Sequence, residues 1–360
     1  MVSSVPPPVV PAPSYRPAWW VPGAHAQTLY SKLVRQRRRA RPRDTRFQTE
    51  RWDTPDGDFV DVVRLDPDSS TPRFLLLHGL EGGEQSHYVQ GMFAEARQRG
   101  WGMDVLIHRS CGADMNRQRR FYHSGETSDL ALVVARVAAE RPDRPLFLAG
   151  VSLGGNVLLK YLGERGTPGP HGPNAAAKSI PDNVRGAVAI SVPYDLSRGS
   201  RRIGTGFSRV YERHFLRSLV AKVERKLEVY PDLIDRARLP GLRTLWDFDD
   251  VLTAGVHGFA GAEDYYARSS ALGFLDRIAA PTLLLSAEDD PFLPAEVLDE
   301  VRTVAATNPW LTVEFHAHGG HVGFVGGRVP WRADYYAERR TFEWATGRVA
   351  AAMTAVAAAA

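Results

Sequence analysis

One stretch constrains this 360-residue chain more than any other. The apolar run Leu146–Val151 ends in Gly150-Val151-Ser152-Leu153-Gly154, and a helical pattern over Leu153–Leu162 begins at once. A strand that becomes a helix within so few residues forces the residue at the bend into a strained backbone state. Small neighbours are needed to let the chain pass, and the serine hydroxyl is left exposed. Gly155 adds room for the helix to pack on the sheet. The helix start also offers unpaired N–H groups to a developing anion.

The rest of the pattern supplies the sheet that such a bend requires. Phe74–Leu77, Met103–Ile107, Leu146–Val151 and Ala187–Val192 read as buried strands. Helical runs at Tyr88–Arg99, Asp129–Glu140 and Leu153–Leu162 alternate with them. Strand-helix alternation predicts an α/β fold, with a mostly parallel sheet covered by helices on both faces. An antiparallel hairpin precedes it, Arg46–Asp66, turning at Pro55-Asp56-Gly57. From Asp195 to Tyr266 the rhythm stops and the pattern is helical and charged. It resumes with strands at Pro281–Ala287 and Leu311–His316. The expected organisation is therefore one α/β core, 46–194 and 267–347, interrupted by a helical insertion at 195–266. An N-terminal extension, 1–45, is expected as a partly disordered or loosely draped lead-in that then wraps the core, and the Ala-rich end, 348–360, as a frayed helix or tail.

Composition excludes several classes. Hydrophobic residues make up 44% and charged residues 24%, so the chain is globular rather than disordered. Net charge is only +4, too little to indicate an acidic partner. Cys111 is the one cysteine, which excludes a disulfide framework and a thiolate metal cage. It reads as a small buried hydrophobe. No stretch reads as a membrane span, and the proline-interrupted start lacks the basic region of a signal peptide. A cytoplasmic location is expected, with peripheral contact to the inner membrane surface as an alternative.

A serine hydroxyl needs a base, and on such a sheet the partners follow in the order Ser, acid, His. The strand Leu283–Leu285 leads into Glu288-Asp289-Asp290-Pro291. Asp290 is the favoured acid and Asp289 its rival. The strand Leu311–Phe315 leads into His316-Ala317-His318-Gly319-Gly320-His321. His321, after the flexible Gly-Gly, is the favoured base, with His316 and His318 as rivals. A metal site from these three histidines lacks a carboxylate at matching spacing, so no metal is expected. Two backbone donors should serve an oxyanion: Leu153 N–H, and Leu80 N–H from the loop His78-Gly79-Leu80-Glu81-Gly82-Gly83. His78 reads as a structural hydrogen-bonder.

Taken together, these pieces resemble the YheT-like branch of the α/β-hydrolase superfamily. The resemblance runs from His25 to Trp344. It rests on His25-Ala26-Gln27-Thr28-Leu29, HGLEGG, Tyr122-His123-Ser124-Gly125-Glu126-Thr127, GVSLGGNVLLKYLGE, GFSRVYERHFLRSL, WDFDD with HGFAGAEDYY, AEDDPFLP and HGGHVGF. One departure is Arg109-Ser110-Cys111-Gly112-Ala113, where the family reads R-G-C-S-G. The resemblance implies a sheet of about eight strands with a helical lid, and Ser152, Asp290 and His321 as nucleophile, acid and base. It implies hydrolysis of carboxylic esters with short or medium acyl chains, or of lipid esters, without cofactor. The eukaryotic relatives are membrane-linked esterases and phospholipases. Acyl transfer, phospholipase-type hydrolysis and a catalytically silent binding protein are the alternatives on the same scaffold.

Four residues are candidates for the substrate pocket: Tyr122 and His123 at one edge, and Phe207 and Tyr211, which recur with Phe215 and Leu219 at helical spacing. Packing of the insertion onto the core is the plainer role for the last four. Ser124 or Ser128 is expected to cap the following helix. The basic run Lys32–Arg43 reads first as a solvated face, with anionic lipid headgroups as its alternative partner. It lacks a recognisable nucleic-acid-binding module, so no nucleic acid is expected. The sequence is silent on oligomeric state.

Overall fold

The computed structural model describes residues 14–36, 47–66, 68–166 and 179–359. A helix, α1 (Ala24–Gln36), precedes the hairpin β1 (Phe47–Asp53) and β2 (Phe59–Leu65). Then follow β3 (Arg73–Leu77), α2 (His87–Arg99), β4 (Gly102–Ile107), α3 (Ser128–Glu140), β5 (Leu146–Val151), α4 (Leu153–Glu164) and β6 (Val184–Ile190). The helical stretch holds α5 (Leu196–Ile203), α6 (Arg209–Val229), α7 (Leu245–Phe248), a π-helical turn (Asp249–Thr253), α8 (Ala254–His257) and α9 (Ala262–Ser269). No strand lies between β6 and β7 (Thr282–Ala287) among the described residues. The chain closes with α10 (Ala295–Thr307), β8 (Leu311–His316), the short pair β9 (Val325–Gly326) and β10 (Asp334–Tyr335), and α11 (Tyr336–Ala359).

The eight long strands form one sheet in the order β1-β2-β4-β3-β5-β6-β7-β8. β1, β2 and β4 pair antiparallel, and every pair from β4 through β8 is parallel. Side chains alternate across a strand, so one apolar run feeds two cores. In β3, Leu75 and Leu77 join α3 and α4, while Phe74 and Leu76 join α2 and α11. The same division holds in β5, with Leu146 and Leu148 on one face and Phe147 and Ala149 on the other. This two-sided burial explains why the parallel strands read as continuous apolar runs. The helices between β6 and β7 bury a third cluster of their own, including Leu216, Val223, Phe248 and Leu252.

One strand end shifts from its expected place, and both chain ends take defined positions where they are described. β6 ends at Ile190 rather than Val192, because Ser191 turns the chain with φ +49°. The Ala-rich segment from Arg348 continues α11 without a break to Ala359. The N-terminal segment is docked where it is described. Pro17 bridges Gly326, and Tyr15 packs its ring against His316 and Tyr336 at 5.0 and 4.9 Å. The earlier part of the lead-in, 1–13, lies outside the described residues. No helix among the described residues is long and apolar enough to cross a membrane.

Candidate active site

Ser152 sits between β5 and α4 with φ +54° and ψ −121°, a state side chains rarely adopt. The surrounding glycines are forced by crowding. A Cβ on Gly150 would lie 2.5 Å from Gly154 O, and one on Gly154 would lie 2.5 Å from Leu77 O. A Cβ on Gly155 would come within 2.7 Å of Val192. The tight bend therefore presses α4 against both β3 and β5, and Ser152 is the residue left pointing out.

Two loops at the C-terminal ends of β7 and β8 reach Ser152. His321 Nε2 lies 2.9 Å from Ser152 Oγ, and His321 Nδ1 lies 2.8 Å from Asp290 Oδ2. The other Asp290 oxygen accepts from Phe292 N–H at 2.8 Å. Asp289 points elsewhere: its Oδ1 accepts from the backbone N–H of Gly319 and Gly320 at 3.0 and 2.8 Å. The remaining histidines of the loop are occupied at a distance. His316 Nε2 faces Glu314 at 3.4 Å, and the exposed His318 faces Asp289 at 3.3 Å. Among the described residues no group of three or more His, Cys, Asp and Glu side chains could hold a metal.

The histidine loop leans on the N-terminal helix. Thr28 Oγ1 accepts from His321 N–H at 2.9 Å and donates to Ala24 O at 2.8 Å. Gly320, at φ +60°, passes so close that a Cβ would meet Ala24 O at 2.4 Å. Gln27 fixes the next stretch, accepting from Val325 N–H at 2.7 Å and donating to Val325 O at 3.1 Å. Phe292 covers the imidazole from the other side, with ring centres 4.1 Å apart. Sequence reasoning left both roles unassigned. The only signal was the quoted run His25–Leu29, whose partner loop is nearly 300 positions away.

Leu80 and Leu153 both line the cavity at Ser152. Leu153 opens α4, where the first N–H groups have no intrahelical acceptor. On either side of Leu80 the N–H groups are taken, by Tyr88 OH at 2.8 Å from Gly79 N and by Tyr122 OH at 2.9 Å from Glu81 N. The Leu80 N–H between them has no partner among the described residues. Tyr122 OH donates in turn to Glu81 Oε1 at 2.8 Å. Glu81 also pairs with Lys222 of α6 at 2.7 Å and accepts from Ser218. Below this loop, His78 and His108 form a buried pair: His108 N–H donates to His78 Nε2, and His108 Nε2 faces His78 O. Burial holds both imidazoles neutral, His108 down to about 4.

The cavity has a volume of about 140 Å³ and a largely apolar wall that includes Leu196, Phe215, Leu219 and Phe292. Tyr122, His123 and Ser124 line it as well. Phe207 and Tyr211 do not. Phe207 is 52% exposed and lies tilted against His25, with ring centres 4.6 Å apart, while Tyr211 OH meets His25 Nδ1 at 3.2 Å. The helical stripe is real, but only its later turns, Phe215 and Leu219, reach the cavity, and Tyr211 is spent on the back of Phe292.

Other sequence candidates resolve individually. Neither Ser124 nor Ser128 caps α3. Thr127 occupies the cap without a side-chain bond, and the Glu126 carboxylate accepts from Ser128 N–H at 2.7 Å. Ser124 is instead tied through its backbone to Tyr265 OH and Asn156. Cys111 is only partly buried and lies 3.2 Å from Lys222 Nζ; burial pushes its thiol up to about 11. In the departing loop, Arg109 is buried and pairs with Asp58 and Asp129 at 2.8 and 2.7 Å. Within the basic run, Arg35 pairs with the buried Glu338 and Lys32 contacts His214 at 3.1 Å, so these two are not a free solvated face. Arg37, Arg38, Arg39, Arg41 and Arg43 lie outside the described residues.

The sheet order, the bend at Ser152 and the loops meeting it from β7 and β8 define an α/β-hydrolase. The chain belongs to the alpha/beta hydrolase fold family, whose model matches residues 72–328, and to its YheT-like branch. It is 37% identical over 328 residues to the Escherichia coli (strain K12) protein named "Putative esterase YheT", covering 89% of this chain and 90% of that one. It is 27% identical to phospholipase ABHD3 of Mus musculus, over 89% of this chain and 76% of that one. To a monoacylglycerol lipase of Saccharomyces cerevisiae it is 28% identical, over 77% of this chain and 60% of that one.

Proposed function

We propose that the protein is a carboxylic-ester hydrolase working through an acyl-enzyme on Ser152. The observation that carries this reading is the unbroken hydrogen-bond chain from Ser152 Oγ through His321 to Asp290. His321 Nε2 takes the Ser152 proton as Oγ attacks the ester carbonyl. Asp290 holds the Nδ1–H tautomer and supports the imidazolium. The tetrahedral oxyanion is met by the N–H groups of Leu80 and Leu153. The imidazolium then gives its proton to the departing alkoxide, and water, activated by the same imidazole, releases the acid.

The family supports hydrolysis, and the names of the relatives support an ester or lipid ester as substrate. A small, mostly apolar cavity suits a short or medium acyl chain. The helices α5 to α9 act as a lid in this reading, because they supply much of the cavity wall. Contact with an anionic membrane surface would rest on Arg37–Arg43, since Lys32 and Arg35 are engaged within the fold.

Turnover of p-nitrophenyl butyrate tests the reading. The wild type should release p-nitrophenol, and Ser152→Ala should not. A fluorophosphonate probe should label the first and spare the second. Equal rates from both proteins would refute it.

A further inference from the structure

The proposed hydrolysis leaves one carboxyl on the cavity wall unused. Asp249 opens the π-helical turn Asp249–Thr253, a form that occurs mostly as short bulges, frequently at functional sites. Thr253 Oγ1 donates to one of its oxygens at 2.6 Å, and Tyr266 OH to the other at 2.7 Å. Ser200 Oγ lies 3.2 Å from the same tyrosine oxygen. All four residues line the cavity that contains Ser152 and His321. Among the described residues no Lys, Arg or His lies within ion-pairing distance of Asp249.

A carboxylate has about four acceptor positions, and these two bonds fill half of them. A buried carboxylate favours donors at its remaining positions, so a substrate group that donates there is bound more tightly than an apolar one. The neighbours decide what kind of group fits. Thr253 and Tyr266 give their protons to Asp249 and are left as acceptors, while Ser200 keeps a hydroxyl proton to donate beside the single carboxyl. A group that itself donates and accepts matches this set better than a bare cation, which could use only the acceptors.

We propose that this polar end of the cavity selects esters bearing a free hydroxyl away from the scissile bond, with Asp249 accepting its hydrogen bond. The inference rests on the ester-hydrolase reading and names its substrate class.

Two matched pairs of esters test it, each exchanging a terminal methyl for a hydroxyl. The acyl-side pair is p-nitrophenyl heptanoate and p-nitrophenyl 6-hydroxyhexanoate. The alcohol-side pair is pentyl butyrate and 4-hydroxybutyl butyrate. In one pair at least, the wild type should favour the hydroxyl ester by about tenfold or more in kcat/KM, as a site with a buried polar group rejects the analogue lacking its partner. Asp249→Leu should abolish that preference, and Asp249→Asn should keep part of it through its amide oxygen. The preference is a ratio within one protein, so a merely structural role, which slows both esters alike, would not move it. If Asp249→Leu does not fold, Ser200→Ala should weaken the same ratio. No preference in either pair, a preference that survives in Asp249→Leu, or stronger selection of p-nitrophenyl 6-aminohexanoate overturns the proposal. Turnover of none of these esters overturns the hydrolase reading itself, and the inference with it.

Discussion

Asp289 and Asp290, neighbours in sequence, hold two different parts of one loop: Asp289 binds the backbone of Gly319 and Gly320, and Asp290 binds the His321 imidazole. Their substitutions should therefore separate. Asp290→Asn should lower kcat by about 10⁴, because the amide favours the wrong imidazole tautomer. Asp289→Asn keeps an acceptor for the two N–H groups and should stay within about tenfold of wild type, the scale of one weakened hydrogen bond. Steady-state kinetics on one ester checks both, and equal losses would show that the assignment is wrong.

At Ser152 stability and activity should part. The residue sits at φ +54° and ψ −121°, a sparsely populated state that costs a side chain on the order of 1–3 kcal/mol. Ser152→Gly should remove that strain in the folded state, although it also frees the unfolded chain. Ser152→Ala keeps the strain. Both variants should be inactive, and Ser152→Gly should melt at the higher temperature. Calorimetry decides it; the reverse order would mean that the bend is not strained.

Tyr122 braces the loop that carries Leu80, the proposed oxyanion donor. Its hydroxyl accepts from Glu81 N–H and donates to the Glu81 carboxylate, next to Leu80. Tyr122→Phe keeps the cavity wall and loses both bonds. We expect kcat to fall by about 10- to 100-fold, part of the value of an oxyanion donor, with KM little changed. A rise in KM at constant kcat would place Tyr122 in substrate binding instead.

Burial raises the Asp249 carboxyl from 3.8 to about 6, against the lowering effect of its bonds from Thr253 and Tyr266. The folded protein then holds this proton more tightly than the unfolded chain, so the group costs stability as pH rises through that window. Asp249→Asn cannot ionise. Its melting temperature should gain on wild type between about pH 4 and pH 6 and stay level above pH 7. A difference that does not change with pH would mean that the carboxyl titrates normally.

Much of the frame was legible because its causes are local. The strands β3, β5 and β7 stand where the apolar runs predicted them, since a strand buried on both faces is mostly apolar, and the half-buried edge strand β8 stands where its own run predicted it. The bend at Ser152 was readable from its glycines, which neighbouring backbone requires at Gly150 and Gly154 and the Val192 side chain at Gly155. Phe207 and Tyr211 were misplaced because helical spacing tells which residues share a stripe, and not which turn of the helix reaches the cavity. Ser128 was misplaced because the helix starts at Ser128 itself, after Thr127, and Glu126, two residues back, accepts from the Ser128 N–H.

Sequence alone thus determined the alternating sheet, the strained serine and the short set of acids and histidines that could meet it. Only the tertiary structure chose among them. Asp290 and not Asp289 faces the imidazole, Thr28 from a distant helix fixes the histidine loop, and Asp249 on the cavity wall has no counterion among the described residues. These are facts of distance between segments far apart in the chain. Backbone propensity and burial act within a few residues, whereas a 2.8 Å contact exists only after the whole sheet has brought its loops to one end.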